Sequence, residues 1–372
     1  MEIYPVRSPQ ELKEFIRLPW TIYQDDSDWV PPLLYERKKF FDRSQNPFFK
    51  HAEVEYFLAE KNSEVVGRIA AIVNHRHNQF HLDKVGFFGH FEVIRDYEAA
   101  WGLLNAAREW LKYKGMEIMR GPANFSTNED VGFLVEGLNQ PPVIMMPYNP
   151  AYYVEFAQEF GLKKVKDLYS YYMDQKIGFP QNLISISEKI KRKEKVLVRK
   201  LELKKLDKEI EIIKQIYNSA WGNNWGFVPM TDEEINFLAD DLKAIVDPNI
   251  VFLAFVDGKP AGFSLALPDI NQVLIKTSGR LFPLGFLKII WNLKIRRAID
   301  RIRVIILGVV PEFQKKGIEL IFYADTFSNA VERGYKSGEF GWILEDNFLM
   351  RKPLEKMGAK LYKIYRMYEM GI

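Results

Sequence analysis

The chain has 372 residues, 47% of them hydrophobic and 14% aromatic, enough for a large core and more than one domain of usual size. Its 52 basic and 49 acidic residues leave a net charge of +3, which argues against wholesale nucleic-acid binding, and the lack of cysteine removes disulfides, thiolate metal sites and any cysteine nucleophile. The start, MEIYPVRSPQE, has no basic n-region and no apolar h-region, and no run reaches the ~18 apolar residues of a spanning helix, so a soluble cytoplasmic protein is expected.

In chain order, Glu2 to Arg7 reads as a strand, and Ser8 as the cap of a helix from Pro9 to about Leu18. Residues 25–50 are aromatic and rich in turn formers, which predicts an irregular packed segment. Val54 to Glu60 and Glu64 to Val73 read as a hairpin around Lys61-Asn62-Ser63. Strands are expected at 85–93, 116–119 and 163–174, with helices at 97–114 and about 151–160. Residues 175–196 read as a linker with a helix after Gln181. Beyond it come a strand at 197–206, helices at 208–220 and 231–245, and a hairpin around Asp257-Gly258.

The stretch from Leu307 to Asn329 then combines three elements. Residues 302–310 (IRVIILGVV) are apolar and β-branched, a strand buried on both faces. Pro311 ends it because proline cannot donate to the ladder. A polar turn, EFQKKG, leads into a helical apolar period from Ile318. Strand, glycine-containing basic turn and helix N-terminus together make an anion site, through unpaired N–H groups and the helix dipole. After it, 339–344 reads as a strand, 347–357 as a helix closed by Gly358, and 361–370 as the last strand.

Val309-x-Pro311-x-x-Gln314-x-x-Gly317-Ile318 resembles the acyl-CoA diphosphate loop of the GNAT superfamily of N-acyltransferases. The resemblance implies an acyl-CoA co-substrate, acetyl-CoA first of all, bound by Val309, Gln314, Lys315, Lys316, Gly317, Ile318 and Asn347, with an amine acceptor and no metal. One departure is Glu319, where the family has a small residue. A second is Leu354, at the position of the family's usual general-acid tyrosine, in a segment where Asn347, Lys356 and Gly358 do fit the pattern.

The order of elements also repeats, which predicts an α+β (α/β mixed-sheet) fold of two tandem GNAT-like lobes, 1–175 and 197–372, joined by 176–196. Sliding the halves together sets Phe91 to Leu104 against Gly308 to Ile321. The N-terminal turn, IRDYEAAW, has acids where an anion would sit, so that lobe is read as degenerate. The whole chain is similar to a prokaryotic family of tandem GNAT-like proteins of unassigned substrate.

Other residues are candidates on chemistry alone. Asn124, Ser126, Asn128 and Glu129 lie in a glycine-flanked polar loop that could face an acceptor, although turn chemistry uses the same residues. Asp269 and Asn271 lie where GNAT folds leave the hairpin toward the acceptor. His75, His77 and His81 have no fourth ligand of matching spacing and read as a solvated hairpin tip rather than a metal site. The basic amphipathic segment 281–303 could touch lipid or cover a cleft or a dimer contact. The run Lys191 to Lys195 reads as solvated charge.

The expected function is acyl-CoA-dependent N-acyl transfer to a small or peptide amine by direct attack in a ternary complex, with possible homodimerisation. Glu345 and Asp346 are the candidate bases, one on each sheet face by strand alternation, Glu345 preferred, with Val309 N–H facing the oxyanion. Helix capping is the competing role for both acids. Two other functions fit less directly: a Fem-like aminoacyl-tRNA-dependent transferase, and a non-catalytic acyl-CoA sensor.

Overall fold

The computed structural model describes residues 1–222, 224–277 and 298–372, so most of the amphipathic segment expected at 281–303 lies outside the described residues. The described residues form two compact units. The first holds Met1–Leu168, residues 274–277 and Lys363–Ile372, and the second the described residues of 169–273 and 298–362. Both are mixed sheets with packed helices, the class expected from the sequence.

In the first unit the elements are β1 (Glu2–Pro5), α1 (Pro9–Ile22), α2 (Leu34–Phe41), β2 (Ala52–Lys61), β3 (Glu64–Asn74), α3 (His75–His81), β4 (Val85–Val93), α4 (Tyr97–Tyr113), β5 (Ile118–Gly121), β6 (Phe133–Glu136) and α5 (Tyr152–Glu159). The first part of β7 (Lys163–Asp174) and the last part of β13 (Lys360–Gly371) complete it. The strand order is β1-β2-β3-β4-β5-β13-β7. Ser8 caps α1 as expected: its hydroxyl accepts from Glu11 N at 3.2 Å while the Glu11 carboxylate accepts from Ser8 N at 2.8 Å. The core centres on Ile69, Phe88, Leu103, Leu104 and Tyr153.

Two expectations fail here. Residues 25–50 include the helix α2, which buries Phe40 and Phe41. The histidines do not form a solvated tip: Asn74 caps a helix at that place, and His77 is buried against Phe87. Burial pushes the His77 imidazole down to about 3.

The second unit takes the remainder of β7, then α6 (Gln181–Lys193), β8 (Val196–Lys200), α7 (Leu206–Ala220), α8 (Asp232–Leu242), β9 (Val251–Val256), β10 (Lys259–Pro268), α9 (Asn271–Leu274, its end in the first unit), β11 (Arg301–Val309), α10 (Ile318–Arg333), β12 (Ser337–Leu344) and α11 (Phe348–Lys356). The order is β7-β12-β11-β10-β9-β8. On one face, α10 buries Ile318, Ile321 and Phe322 against β9 and β10. On the other, α7 packs Ile216 over Leu253 and Phe263. The linker helix α6 is tied to α10, because Lys191 Nζ lies 2.8 Å from Asp325 Oδ1, so this lysine is not part of a merely solvated run.

The repeat is offset. In the first unit residues 94–96 join strand to helix, whereas in the second residues 310–317 do so. An ungapped slide therefore sets the start of α4 against the turn rather than against the start of α10.

Candidate functional site

The site begins with a fork in the sheet of the second unit. β11 and β12 are parallel and pair from Arg301↔Ser337 to Val304↔Phe340, although β11 runs on to Val309 and β12 to Leu344. The cause is a bulge. Between Leu265↔Ile306 and Ala266↔Val304 the register against β10 shifts, leaving Ile305 as the extra residue, and a bulge bends its strand. Val310 N donates to Ala261 O at 2.9 Å, so at the next pair, Gly262↔Val309, the Val309 N–H faces away from β10 and toward the fork.

Pro311–Phe313 makes one tight turn after β11, and Gln314 Nε2 closes the loop by donating to Val309 O at 3.1 Å. Lys315 (φ 65°) and Gly317 (φ 80°) are both left-handed and flank Lys316, a backbone arrangement that turns successive N–H groups the same way. Among the described residues, the N–H groups of Lys315, Lys316, Gly317 and Ile318 donate to no backbone or side-chain acceptor. Gly317 is the N-cap of α10 and supplies no side-chain cap, so these donors remain available to an anion. Lys315 is exposed; Lys316 lies over the Phe313 ring, its Nζ 3.7 Å from Glu194. Glu319 is half-buried in the first turn of α10. Burial raises its pKa by more than its own backbone N–H lowers it.

Beyond β12, Glu345 and Asp346 form a turn rather than the end of a strand, so alternation does not put them on opposite sheet faces. The Glu345 backbone carbonyl accepts from Arg351, and Asn347 Oδ1 caps α11 by accepting from Met350 N at 3.2 Å. Leu354 is fully buried in a cluster that also holds Tyr171 and Tyr323. Arg351 donates to the Tyr171 hydroxyl at 2.9 Å, which in turn donates to Glu355 at 2.8 Å, and the Tyr323 hydroxyl lies 3.6 Å from Met350 Sδ. Burial raises the pKa of both phenols.

The remaining candidates hold backbone together. Asp269 is fully buried against Arg301, with Nη2 at 2.6 Å, and accepts from Asn271 N at 3.3 Å. In the first unit, Asn124 Oδ1 accepts from His90 N at 2.7 Å, and Ser126 Oγ accepts from Asn128 N at 3.1 Å. The carbonyl of Ser126 accepts from Glu129 N at 3.2 Å.

Sequence reading missed the groups at the base of the fork. Arg303 and Glu339 face each other across the β11–β12 pair, both buried, with Nε 3.9 Å from Oε1. Arg303 Nη2 donates to Gly341 O at 2.9 Å, and the Tyr362 hydroxyl donates to Glu339. The signal was a charged residue, Arg303 or Glu339, inside each of two strands that are largely apolar, which burial permits only in a paired state. Trp221, at the end of α7, crosses β11 at Gly308, where a Cβ would lie 1.9 Å from its ring. It gives the fork an aromatic wall on the face opposite α10.

No group of three or more His, Asp or Glu side chains among the described residues is placed to hold a metal ion, and no described helix is long and apolar enough to cross a membrane.

No family model matches the chain. Solved structures with the same fold include a tandem GNAT protein from the clavulanic acid biosynthesis pathway, with a TM-score of 0.58 at 11% identity over 100% of this chain and 98% of that one. A GCN5-related N-acetyltransferase from Sphaerobacter thermophilus gives a TM-score of 0.53 at 12% identity over 99% and 95%. In sequence, the chain is 33% identical to protein YghO of Escherichia coli over 97% of this chain and 93% of that protein. It is 35% identical to the bacterial ceramide synthase of Caulobacter vibrioides over 100% of this chain and 98% of that protein. The chain thus belongs to the family of these two proteins, built on the tandem GNAT fold.

Proposed function

We propose that the second unit is an acyl-CoA-dependent N-acyltransferase whose acceptor is a long-chain amine. The observation that carries the reading is the row of open N–H groups at residues 315–318, set between the fork of β11 and β12 and the N-terminus of α10. The diphosphate of CoA would sit on these donors, with Lys315 and Lys316 adding charge. The pantetheine arm carries amides of its own and would lie between β11 and β12 as an extra strand. The acceptor class comes from the name of the Caulobacter relative, since a ceramide is the amide of a fatty acid and a long-chain amino alcohol.

The neutral amine nitrogen attacks the thioester carbonyl directly and the carbonyl π electrons move to oxygen; they return to re-form the carbonyl as the C–S bond breaks to release the CoA thiolate, and the nitrogen gives its remaining extra proton to water, leaving the neutral amide. No cysteine is available for an acyl-enzyme. The N–H of Val309, turned toward the fork, would donate to the developing oxyanion. An amine arrives protonated at neutral pH and must lose that proton before attack. Glu345 is the carboxylate assigned to take it: it lies at the open end of β12, whereas Glu339 is sealed at the base in its pairs with Arg303 and Tyr362. Leu354 has no proton to give, so water protonates the thiolate.

Calorimetric titration with CoA, followed by mass-spectrometric detection of amide from an acyl-CoA and an amine panel, tests the proposal. One long-chain amino alcohol and one short polyamine suffice for the panel. Amide from the first alone is expected. No CoA binding, or transfer only to the polyamine, would overturn it.

A further inference from the structure

Positive charge in the second unit is gathered at one end of its sheet. Residues 188–209 hold ten lysines and arginines against five aspartates and glutamates, an excess larger than the +3 of the whole chain, so all other residues together are net acidic. The stretch runs from the C-terminal half of α6 through β8, which ends the strand order, to the first turn of α7. Arg192, Lys193, Lys195, Lys200, Lys204 and Lys208 are exposed along it.

Apolar side chains stand in water among these charges. In β8, Val196 and Val198 pack into the core beneath α10, so alternation turns Leu197 and Arg199 to the opposite face. Leu197 is 65% exposed, and Leu203, in the turn after β8, is 41% exposed. Leu197 also lines a groove of about 450 Å³, largely open to solvent, with Ile212, Phe255, Lys195, Arg199 and Asp257. Lysines on an edge strand discourage pairing with other chains. A leucine left exposed between them works against that use, so edge protection accounts for the charges and not for Leu197. A surface that is anionic outside and apolar just beneath matches both.

We infer that this edge of the second unit docks on an anionic lipid surface. The lysines and Arg192 meet phosphate headgroups, while Leu197 and Leu203 enter the boundary of the acyl chains. Charge argues against a second copy of this chain as the occupant, because a two-fold contact would set one basic face on another. Extent argues against an acidic peptide. The basic residues cover about 8 Å of α6 and about 13 Å of β8, and a peptide strand added to β8 would leave those of α6 unmet. The inference goes beyond the proposed reaction and needs neither CoA binding nor acyl transfer.

Co-sedimentation of the full chain with vesicles tests it, using phosphatidylcholine alone and phosphatidylcholine mixed with phosphatidylglycerol. Wild type is expected to pellet with the mixed vesicles only, and less so at high salt. Replacing Lys195, Lys200 and Lys204 together by Gln should lower the partition constant about 100-fold. Leu197→Ser should lower it about tenfold. Leu82→Ser, at a leucine 90% exposed in the first unit, should leave it unchanged. All these side chains are exposed, and an unchanged Tm in each variant shows that a loss of binding is not unfolding. No pelleting, equal pelleting with phosphatidylcholine alone, or an undiminished partition constant in either the triple or the Leu197 variant overturns the inference. Binding to polyglutamate without binding to vesicles assigns the face to an acidic polypeptide and overturns it equally.

Discussion

The two units carry the same strand–turn–helix at corresponding places and treat it in opposite ways. In the first, a bulge sets Ile69 against His90 and Phe91, and β4 pairs with β5 only from Val85↔Ile118 to Phe87↔Arg120, so a fork opens there too. That fork is filled by the chain. Ala123 N donates to Phe88 O at 2.8 Å, Asn124 receives the N–H of His90, and Gly89 is so close to the strap that a Cβ would lie 1.9 Å from Ala123 O. The helix start is filled as well: Asp96 accepts from Ala99 N at 3.3 Å and holds Lys61 at 2.6 Å. In the second unit the turn spans 310–317, Gly317 replaces the capping acid, and the N–H groups remain open. The lesson is that the same fork and helix start can be filled by the chain's own groups in one unit and left open in the other, with the scaffold intact in both.

The largest effect that tests this contrast is on the anion turn itself. Gly317→Asp should weaken CoA binding by about 2–3 kcal/mol, roughly 30–150-fold, since it places a carboxylate among donors meant for phosphate. Asp96→Asn should leave affinity unchanged. Calorimetry on both variants, with thermal unfolding to confirm the fold near Ile190, checks this; equal losses would erase the distinction between the units.

Next in size is the contrast between Glu339 within β12 and Glu345 in the turn just beyond it. Glu345→Gln should lower kcat by about 10²-fold and remove the acidic limb of its pH profile, with CoA affinity intact. Glu339→Gln should instead act on stability, since breaking a buried ion pair costs about 3–5 kcal/mol, and should leave the pH profile in place. Unchanged kcat in Glu345→Gln removes that residue from the mechanism.

Replacing Lys315 and Lys316 together by Gln should lower CoA affinity about 5–10-fold at low salt and less at 0.5 M, because exposed charges are screened. A loss independent of salt would mean a misfolded turn. The smallest effect belongs to Glu319. Its folded pKa is raised by burial, so it takes up a proton at a higher pH than an ordinary glutamate, and protonation removes a negative charge beside the diphosphate. CoA affinity should therefore rise about two- to threefold as pH falls through that raised pKa. Glu319→Gln should abolish the rise, as parallel titrations at several pH values would show.

Much of this was legible because it is local. A β-branched run, a proline that ends it, a glycine before an amphipathic period and the Ser8–Glu11 capping pair each act within a few residues. The fork was not legible, because the bulge at Ile305 exists only against the register of β10. Nor was the strap across the first fork, since the carbonyl met by Ala123 lies on another strand. The Arg303–Glu339 pair joins two strands separated in sequence, and neither charge announces its partner. Glu345 was placed on a strand that ends one residue earlier, at Leu344, and the repeat was slid without the longer turn that gives the second unit its donors.

The allotment of the last ten residues has a consequence for biosynthesis. Lys363–Ile372 belongs to the first unit, where β13 lies antiparallel to β5 and buries Tyr365, Met367 and Tyr368. All described residues of the second unit emerge from the ribosome before them. The unit encoded first must therefore wait for its closing strand, about 10–40 s at usual elongation rates after Leu168 is made. During that interval the edges of β5 and β6 are unpaired and adhesive, so a chain stalled anywhere in its second half is a substrate for chaperones or proteases even when the turn at 310–317 has already been synthesised.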